Sequence, residues 1–223
     1  PFCLDRTEVT VAAYATCVRA GACQPAGDES HFCNADRPDH DQHPINCVNW
    51  HQAVAYCKFR QARLPTEVEW EYAARGGSRD LPYPWGDGAL DEHTCWKHGG
   101  SCRVGEFPED VFGLVDVIGN VWEWTDSWYG AYPFGDAPGY ARIYRGGSWS
   151  RRFDKWMSPR LRNRSRPQER GSHLGFRCAL TLPGAVCPDG ERKDASGCAH
   201  GVREVDCPSG KTWNGARCAR PNE

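Results

Sequence analysis

Apolar positions recur at helical spacing in three short segments near the start of the chain. The first segment, residues 7–21, has Thr10 as its predicted N-cap and ends at Gly21. Its apolar face consists of Val11, Tyr14, Cys17 and Val18. Because residues three and four positions apart share one face of an α-helix, this pattern predicts a short amphipathic helix.

Two further helices are predicted between residues 48 and 77. The second runs from Val48 to Arg60, and its apolar face consists of Trp50, Ala53, Val54 and Cys57. The third begins at Thr66, which forms a capping box with Glu69, since each side chain can accept a hydrogen bond from the other's backbone. Two glycines, at 76–77, predict its end.

Most of the remaining pattern is that of loops. Residues 82–108 show no periodic spacing of apolar positions, and neither does the Gly/Pro/aromatic segment that runs to Tyr140. One strand is predicted at Ile143–Tyr144. The chain contains 24 glycines and 10 tryptophans, which predicts a loop-rich fold with a tryptophan-heavy core rather than a helical bundle.

Length and charge narrow the possible classes of function. The 223 residues suffice for one large domain, or for one domain with a small appendage. The formal net charge of −2 gives no general attraction to nucleic acid or to a membrane surface. No apolar run is long enough to span a bilayer, so we predict neither a nucleic-acid partner nor a transmembrane segment.

Cysteine is abundant, with 13 in the chain, and its spacing suits short disulfide-closed loops better than zinc sites. Three local pairs are predicted in the first 110 residues: Cys17 with Cys23, Cys33 with Cys47, and Cys95 with Cys102. We therefore expect an oxidising compartment, with the protein secreted, periplasmic or at the cell surface.

The composition changes after about residue 182, where a short segment is duplicated. Residues 187–199 and 207–219 align without a gap, each with C-P-x-G at its start and Cys-Ala at its end. Each unit is too small for a core and depends on its own disulfide. We predict a domain over 1–182 and a Cys-rich tail over 183–223, with the pairs Cys187–Cys198 and Cys207–Cys218.

The strongest candidate for chemistry is the stretch D-V-I-G-N-V-W-E-W at 116–124. Gly119 and Asn120 tolerate backbone angles that a branched residue does not. Such a turn can direct backbone carbonyls and the carboxylates of Asp116 and Glu123 to one point, and hard oxygen ligands suit Ca²⁺. The alternative from the residues alone is an ordinary turn with solvated acids.

Two other regions allow more than one interpretation. His40 and His43 lie among acids and could bind a metal, but no helical pattern places them on one face, which favours a solvated loop. Residues 141–178 hold ten arginines and one lysine against two acids. This patch either binds an anionic ligand or partner, or its arginines bridge loop carbonyls and pair with acids elsewhere.

Several motifs occur in one order along the first 180 residues. They are T-E-V-T (7–10), H-P-I-N-C-V-N-W (43–50), A-Y-C (55–57), R-L-P-T-E-V-E-W-E-Y-A-A-R-G-G (63–77), Y-P-W-G (83–86), G-L-V-D-V-I-G-N-V-W-E-W (113–124), R-G-G-S-W (145–149) and G-F-R-C (175–178). Together they resemble the sulfatase-modifying-factor family, whose founding member is the formylglycine-generating enzyme. The tail lies outside this resemblance.

The resemblance implies an α+β fold related to C-type lectins, with many loops and little regular structure. It implies a structural Ca²⁺ held by the side chains of Asp116 and Glu123 and the carbonyls of Gly119 and Val121. It also implies a disulfide between the second helix and the last strand, Cys57–Cys178. A second calcium site of the family would fall near 95–112, where this sequence departs from the pattern.

The family's domain normally begins some tens of residues before position 1. We therefore expect that a cleaved segment or a separate chain completes the N-terminus. Cys3 is left over once the other twelve cysteines are paired, and its partner is expected upstream.

One departure from the family decides the expected activity. The formylglycine-generating enzyme holds copper with two cysteines, placed two and seven residues after the tryptophan of R-G-G-S-W. Those positions are Arg151 and Trp156 here. A guanidinium has no lone pair to offer and an indole nitrogen only donates, so we expect neither bound copper nor a formylglycine-generating oxidase.

Three functions remain. The first is a non-catalytic, calcium-stabilised binding or structural module whose former active-site cleft holds a protein or an anionic ligand. The cleft candidates are Ser148, Trp149, Arg151, Arg152 and Trp156. The second is a metal-dependent oxidoreductase of a different specificity, and the third is an accessory subunit of a multi-chain complex. Fold alone does not choose among them.

Overall fold

The computed structural model describes residues 2–27, 30–132 and 138–181, together with the backbone of two short strands in the tail. The helices of this part are α1 (Val11–Arg19), α2 (Trp50–Phe59), α3 (Glu67–Ala74) and α4 (Leu90–His93). Its strands are β1 (Phe2–Leu4), β2 (Trp122–Trp128), β3 (Arg142–Arg145), β4 (Asn163–Ser165), β5 (Leu174–Gly175) and β6 (Ala179–Thr181). The fold is α+β and loop-rich, as the sequence predicts.

Four strands form the main sheet in the order β4-β3-β2-β5. β2 is antiparallel to β3 and parallel to β5, so it is an inner strand of this sheet. Glu123 lies opposite Arg145, and Trp122 lies opposite Leu174. A separate pair joins β1 to β6 and brings the two ends of the domain together. The sheet therefore places D-V-I-G-N-V-W-E-W beside R-G-G-S-W.

The predicted caps of the first and third helices are confirmed. The hydroxyl of Thr10 accepts a hydrogen bond from the Ala13 amide, and Thr66 and Glu69 form the expected capping box. α2 begins two residues later than predicted because Asn49 caps it, with Gln52 as its reciprocal partner. α1 is shorter than the predicted segment 7–21, because Thr10 caps its start and Ala20 caps its end.

Most strands were not predicted. β2 occupies the segment W-E-W-T-D-S-W, for which the sequence predicts the end of a turn followed by a loop. Its first four residues are all buried, because helices and loops cover both faces, so the alternation that identifies a half-exposed strand is lost. α4 likewise forms within the predicted 82–108 loop.

Tryptophans dominate the core. Trp70, Trp122 and Trp124 are completely buried. Trp122 and Trp124 pack with residues of α1 and α2 in one cluster, whereas Trp70 packs with Ile118 and Met157 in another. A third, smaller cluster surrounds Cys95 and Cys102.

Four of the predicted disulfides are present in the described residues. They are Cys17–Cys23, Cys33–Cys47, Cys57–Cys178 and Cys95–Cys102. Cys3 is a buried free thiol on β1.

Among the described helices, none combines the length and hydropathy that a bilayer crossing requires.

The predicted tail disulfides, Cys187–Cys198 and Cys207–Cys218, lie outside the residues whose side chains the structure describes. Within the second repeat, strands β7 (Thr212–Trp213) and β8 (Cys218–Ala219) pair antiparallel.

Candidate functional site

The D-V-I-G-N-V-W-E-W turn is built on unusual backbone angles. Asp116, Gly119 and Asn120 have φ angles of 58°, 90° and 47°. A Cβ at position 119 would clash with the hydroxyl of Thr94 and lie 2.8 Å from the carbonyl oxygen of Cys95. Only glycine satisfies both the backbone angle and this close approach.

Asn120 joins the turn to two neighbouring segments. Its amide donates to the Cys95 carbonyl (2.9 Å), and its side-chain Oδ1 accepts from the Cys102 amide (3.0 Å). Its own carbonyl accepts from the amide of Trp149 (2.8 Å). The turn thus fixes both the Cys95–Cys102 loop and the R-G-G-S-W segment.

Glu123 is fully buried and already has partners. Arg177 donates to its Oε2 from Nε (2.8 Å) and to its Oε1 from Nη2 (2.7 Å). Trp70 donates to Oε2 from Nε1 (2.8 Å). Arg177 is also buried, so this is a bidentate ion pair away from water.

Two further acids lie near this pair without full compensation. Asp116 accepts a hydrogen bond at Oδ2 from the Gly105 amide (2.7 Å), but its Oδ1 is buried and has no partner. Both carboxylate oxygens of Glu8 are also buried and unpartnered. Burial raises the pKa of Glu8 well above its ordinary value and the pKa of Asp116 to about 6, and neighbouring carboxylates add to both shifts.

These residues fit a divalent cation. The charges of Glu8, Asp116 and Glu123 sum to −3 when ionised, and Arg177 contributes +1, which leaves −2. Unpaired buried carboxylate oxygens are costly, and Ca²⁺ prefers oxygen ligands. The structure therefore brings the two predicted carboxylates together, but it commits the oxygens of Glu123 to Arg177 and Trp70.

Glu8 is the site residue that sequence reasoning missed. It stands in T-E-V-T, directly before the apolar Val9, and it is only 2% exposed. An acid inside an apolar segment that folds into the core was the available signal. Its meaning depended on the proximity of residue 116, more than one hundred positions away, which no local pattern shows.

Several arginines of the segment 141–178 form ion pairs with acids elsewhere in the fold. Arg145 is fully buried and binds Glu67 and Glu71 of α3, while Arg162 also binds Glu67. Further pairs in this segment are Arg142–Asp126, Arg160–Asp80 and Arg177–Glu123. The interpretation in which these arginines serve the fold is thus correct for these five of the ten.

A cleft of about 420 Å³ lies beside the turn, lined by Lys97, His98, Trp149, Ser150 and Arg152. Of the predicted cleft residues, Trp149 and Arg152 line it. Ser148 is completely buried, with its Oγ 3.2 Å from that of Ser150. Lys97 and His98 were not predicted, and backbone hydrogen bonds from their amides to the carbonyls of Arg151 and Trp149 bring them here.

The two positions that carry copper ligands in the formylglycine-generating enzyme hold a cation and an indole. The guanidinium of Arg151 lies 5.5 Å from the ring of Trp156 and 5.7 Å from that of Trp122. Lys155 approaches the same ring of Trp156 to 5.8 Å. The two positions thus carry a guanidinium and an indole that take part in cation–π contacts, and neither group can bind Cu(I).

The histidine pair at 40 and 43 does not form a metal cluster. The two rings stack at 4.2 Å, and Nδ1 of His43 lies 3.0 Å from the Oγ of Ser101. Within the described residues, one group of three His, Cys, Asp or Glu side chains has ligand atoms within 4.8 Å of one another, and it consists of Cys95, His98 and Cys102.

The chain belongs to the sulfatase-modifying factor enzyme 1-like domain family, whose model matches residues 1–182. It is 36% identical to the formylglycine-generating enzyme of Mus musculus over 61% of this chain and 44% of that protein. It is 40% identical to the inactive C-alpha-formylglycine-generating enzyme 2 of Bos taurus over 66% of this chain and 52% of that protein. The chain spans about half the length of these curated relatives.

Two solved structures share the fold of this chain. PvdO from Pseudomonas aeruginosa superposes with a TM-score of 0.69 at 26% identity, over 82% of this chain and 81% of PvdO. Treponema denticola variable protein 1 has a TM-score of 0.67 at 25% identity, over 80% and 84% of the two chains. The fold is therefore that of the formylglycine-generating-enzyme family.

Proposed function

We propose that this protein is a non-catalytic, calcium-stabilised binding module of the formylglycine-generating-enzyme family that works outside the cytoplasm. The observation that carries the proposal is that Arg151 and Trp156, which form a cation–π contact, stand at both copper-ligand positions. A relative of similar identity is itself named as an inactive form. The chain keeps the family's scaffold while lacking the thiolates that its oxidase chemistry needs.

Calcium is proposed to bind at the turn as a structural ion. The unpartnered oxygens of Asp116 and Glu8 supply hard ligands, and the carbonyls of Gly119 and Val121 complete the predicted set. Glu123 holds Arg177 in place and contributes negative charge. The four disulfides of the described domain agree with an oxidising, extracytoplasmic setting.

The cleft is proposed to bind an acidic segment of a partner protein. Lys97 and Arg152 give it positive charge, and His98, Trp149 and Ser150 add an imidazole, an indole face and a hydroxyl. No acid is among the residues that line it in the described part of the chain. Lys97 and Arg152 are exposed, so a ligand carboxylate can reach both.

Two measurements on the full chain test this function. With added Cu(I), oxygen and a cysteine-containing sulfatase peptide, mass spectrometry should show no conversion of the peptide cysteine to formylglycine. Conversion at a rate well above the protein-free control would contradict the non-catalytic assignment.

The second measurement titrates a fluorescent glutamate-rich peptide and a lysine-rich peptide of equal length. Only the acidic peptide should bind, with an affinity that falls as salt rises. The double variant Lys97→Ala/Arg152→Ala should weaken binding about tenfold or more, which is about 1.4 kcal/mol. The exposed Arg166, which does not line the cleft, provides the control Arg166→Ala; equal losses in both variants would rule out the cleft as the binding site.

A further inference from the structure

Three metal-binding side chains converge beside the cleft. The Sγ atoms of Cys95 and Cys102 and a ring nitrogen of His98 lie within 4.8 Å of one another. The two sulfurs form a disulfide, and Nδ1 of His98 lies 3.6 Å from the Sγ of Cys102. A tetrahedral zinc ion with Zn–S of about 2.3 Å and Zn–N of about 2.0–2.1 Å places nitrogen and sulfur roughly 3.6 Å apart. The imidazole is therefore already at a coordinating separation from Cys102.

The backbone would hold these residues in place without the disulfide. Asn120, which is completely buried, accepts from the Cys102 amide and donates to the Cys95 carbonyl. The Cα atoms of the two cysteines are 6.0 Å apart. The His98 amide donates to the Trp149 carbonyl at 3.0 Å. All three residues are thus positioned by hydrogen bonds that cleavage of the S–S bond leaves intact.

We propose that Cys95, His98 and Cys102 form a redox-gated site for a thiophilic divalent cation of the zinc type. In the oxidised protein the disulfide excludes the metal. In the reduced protein two thiolates and one imidazole bind it, and water takes the fourth tetrahedral position. His98 also lines the cleft, so the ion would lie at the cleft wall. This inference does not depend on which ligand the cleft binds.

An external dithiol supplies the electrons for opening the site. Its thiolate attacks Sγ of Cys102, the more exposed cysteine at 8% against 0%, and Cys95 leaves as a thiolate. The second thiol of the dithiol then attacks the sulfur that the dithiol contributes to the mixed disulfide, and Cys102 leaves as a thiolate. Two electrons pass to the protein, the dithiol becomes a cyclic disulfide, and its two protons enter solvent as the two protein thiolates bind the cation.

Cobalt(II) provides a spectroscopic probe of this site. The full chain is treated anaerobically with dithiothreitol under conditions in which mass spectrometry after alkylation shows that Cys95–Cys102 has opened. After removal of the reductant, one equivalent of Co²⁺ should produce thiolate-to-cobalt charge-transfer absorption and the visible bands of a tetrahedral ion. Zn²⁺ should displace it, and the unreduced protein should give no such bands. Reduced protein without charge-transfer absorption would overturn the proposal.

Variants separate this site from other thiols. His98→Ala should retain charge-transfer absorption but bind Co²⁺ at least about tenfold more weakly, since even indirect partners of metal ligands contribute that much. The exposed His51 on α2 gives the matched control His51→Ala, which should bind as the wild type does. Cys95→Ser/Cys102→Ser should abolish the absorption. If that double variant misfolds, equal Co²⁺ affinity in His98→Ala and wild type is enough to refute the site.

Discussion

Two buried acid clusters lie on either side of Trp70, and they are compensated in opposite ways. In the first, which we call the α3 cluster, Glu67 and Glu71 bind Arg145, Arg162 and Arg75, and every carboxylate oxygen accepts a hydrogen bond. In the second, the turn cluster, Glu8, Asp116 and Glu123 share Arg177. Three carboxylate oxygens there have no partner.

The difference shows what each cluster needs from outside the chain. Glu123 and Arg145 are direct cross-strand neighbours, yet Glu123 turns to Arg177 and Arg145 turns to α3. Trp70 donates its indole N–H to Glu123 and presents its ring to Arg145 at 5.4 Å. The α3 cluster is complete by itself, whereas the turn cluster keeps surplus negative charge that a cation would neutralise.

The largest expected effect tests the completeness of the α3 cluster. Arg145→Ala should lower the free energy of unfolding by about 3–5 kcal/mol, because it leaves buried carboxylates without their partner. Urea denaturation should give the same loss with calcium and with a chelator. Arg160→Ala is the matched control, since its pair with Asp80 is exposed and its loss should cost far less stability. A calcium-dependent loss for Arg145→Ala would mean that the two clusters are not separate.

The next effect tests the need of the turn cluster for a cation. Calcium at one hundred times its Kd should stabilise the folded protein by about 2.7 kcal/mol, and a chelator should remove this gain. The effect of Glu8→Gln on stability should change sign between calcium and chelator. It should be less stable than wild type in calcium, where a ligand is lost, and more stable in chelator, where a buried charge is removed.

Thermal unfolding with and without chelator measures this crossover. The control is Glu92→Gln, an exposed acid on α4, which should respond to calcium as the wild type does. An unchanged melting temperature of the wild type on chelation would refute the proposed calcium site.

The sequence predicts the parts of this contrast that depend on local chemistry. Thr66 and Glu69 predict the start of α3, and Gly119 and Asn120 predict the turn. Helix caps and left-handed backbone angles can be predicted because they are properties of a few adjacent residues. The central strand β2 was missed because burial on both faces removes its alternation.

The candidate site was predicted only in part for a related reason. Asp116 and Arg152 were identified from their motifs, but Glu8, Lys97 and His98 enter through long-range pairing. Their roles are set by the residues that the fold brings opposite them. Local sequence patterns carry no information about such distant partners, so the roles of these residues could be assigned only from the structure.

A smaller effect extends the comparison to the edge of the turn cluster. Asp110 accepts hydrogen bonds from the amides of Phe112 and Leu114 at Oδ1, while its Oδ2 is buried and unpartnered. Burial raises its pKa to about 6. The folded protein therefore binds more protons than the unfolded chain between about pH 4 and 6, and this contribution to stability is lost as pH rises through that window.

Denaturation curves across pH, in saturating calcium, measure this contribution. The difference between wild type and Asp110→Asn should change by roughly 2 kcal/mol between pH 4 and 6.5, after allowance for partial exposure. The exposed Asp87 gives the control Asp87→Asn, which should show no such change. A difference that is flat with pH would show that Asp110 is ionised in the folded protein throughout this range.

The smallest effect concerns charges that are balanced by aromatic faces instead of carboxylates. The guanidinium of Arg151 lies 5.7 Å from the ring of Trp122 and 5.5 Å from that of Trp156, and its Nε is buried without a hydrogen-bond partner. Because cation–π contacts at such distances contribute about 0.5–1 kcal/mol, Arg151→Ala should lower the free energy of unfolding by about that amount, independently of calcium. The exposed neighbour Arg152 gives the control Arg152→Ala, which should change stability by less than about 0.5 kcal/mol. A loss of stability near that of Arg145→Ala would instead show that Arg151 is a buried cation on which the fold depends. The arginine at this position, where the formylglycine-generating enzyme has a copper ligand, would then be explained by stability and not by a cleft adapted for binding.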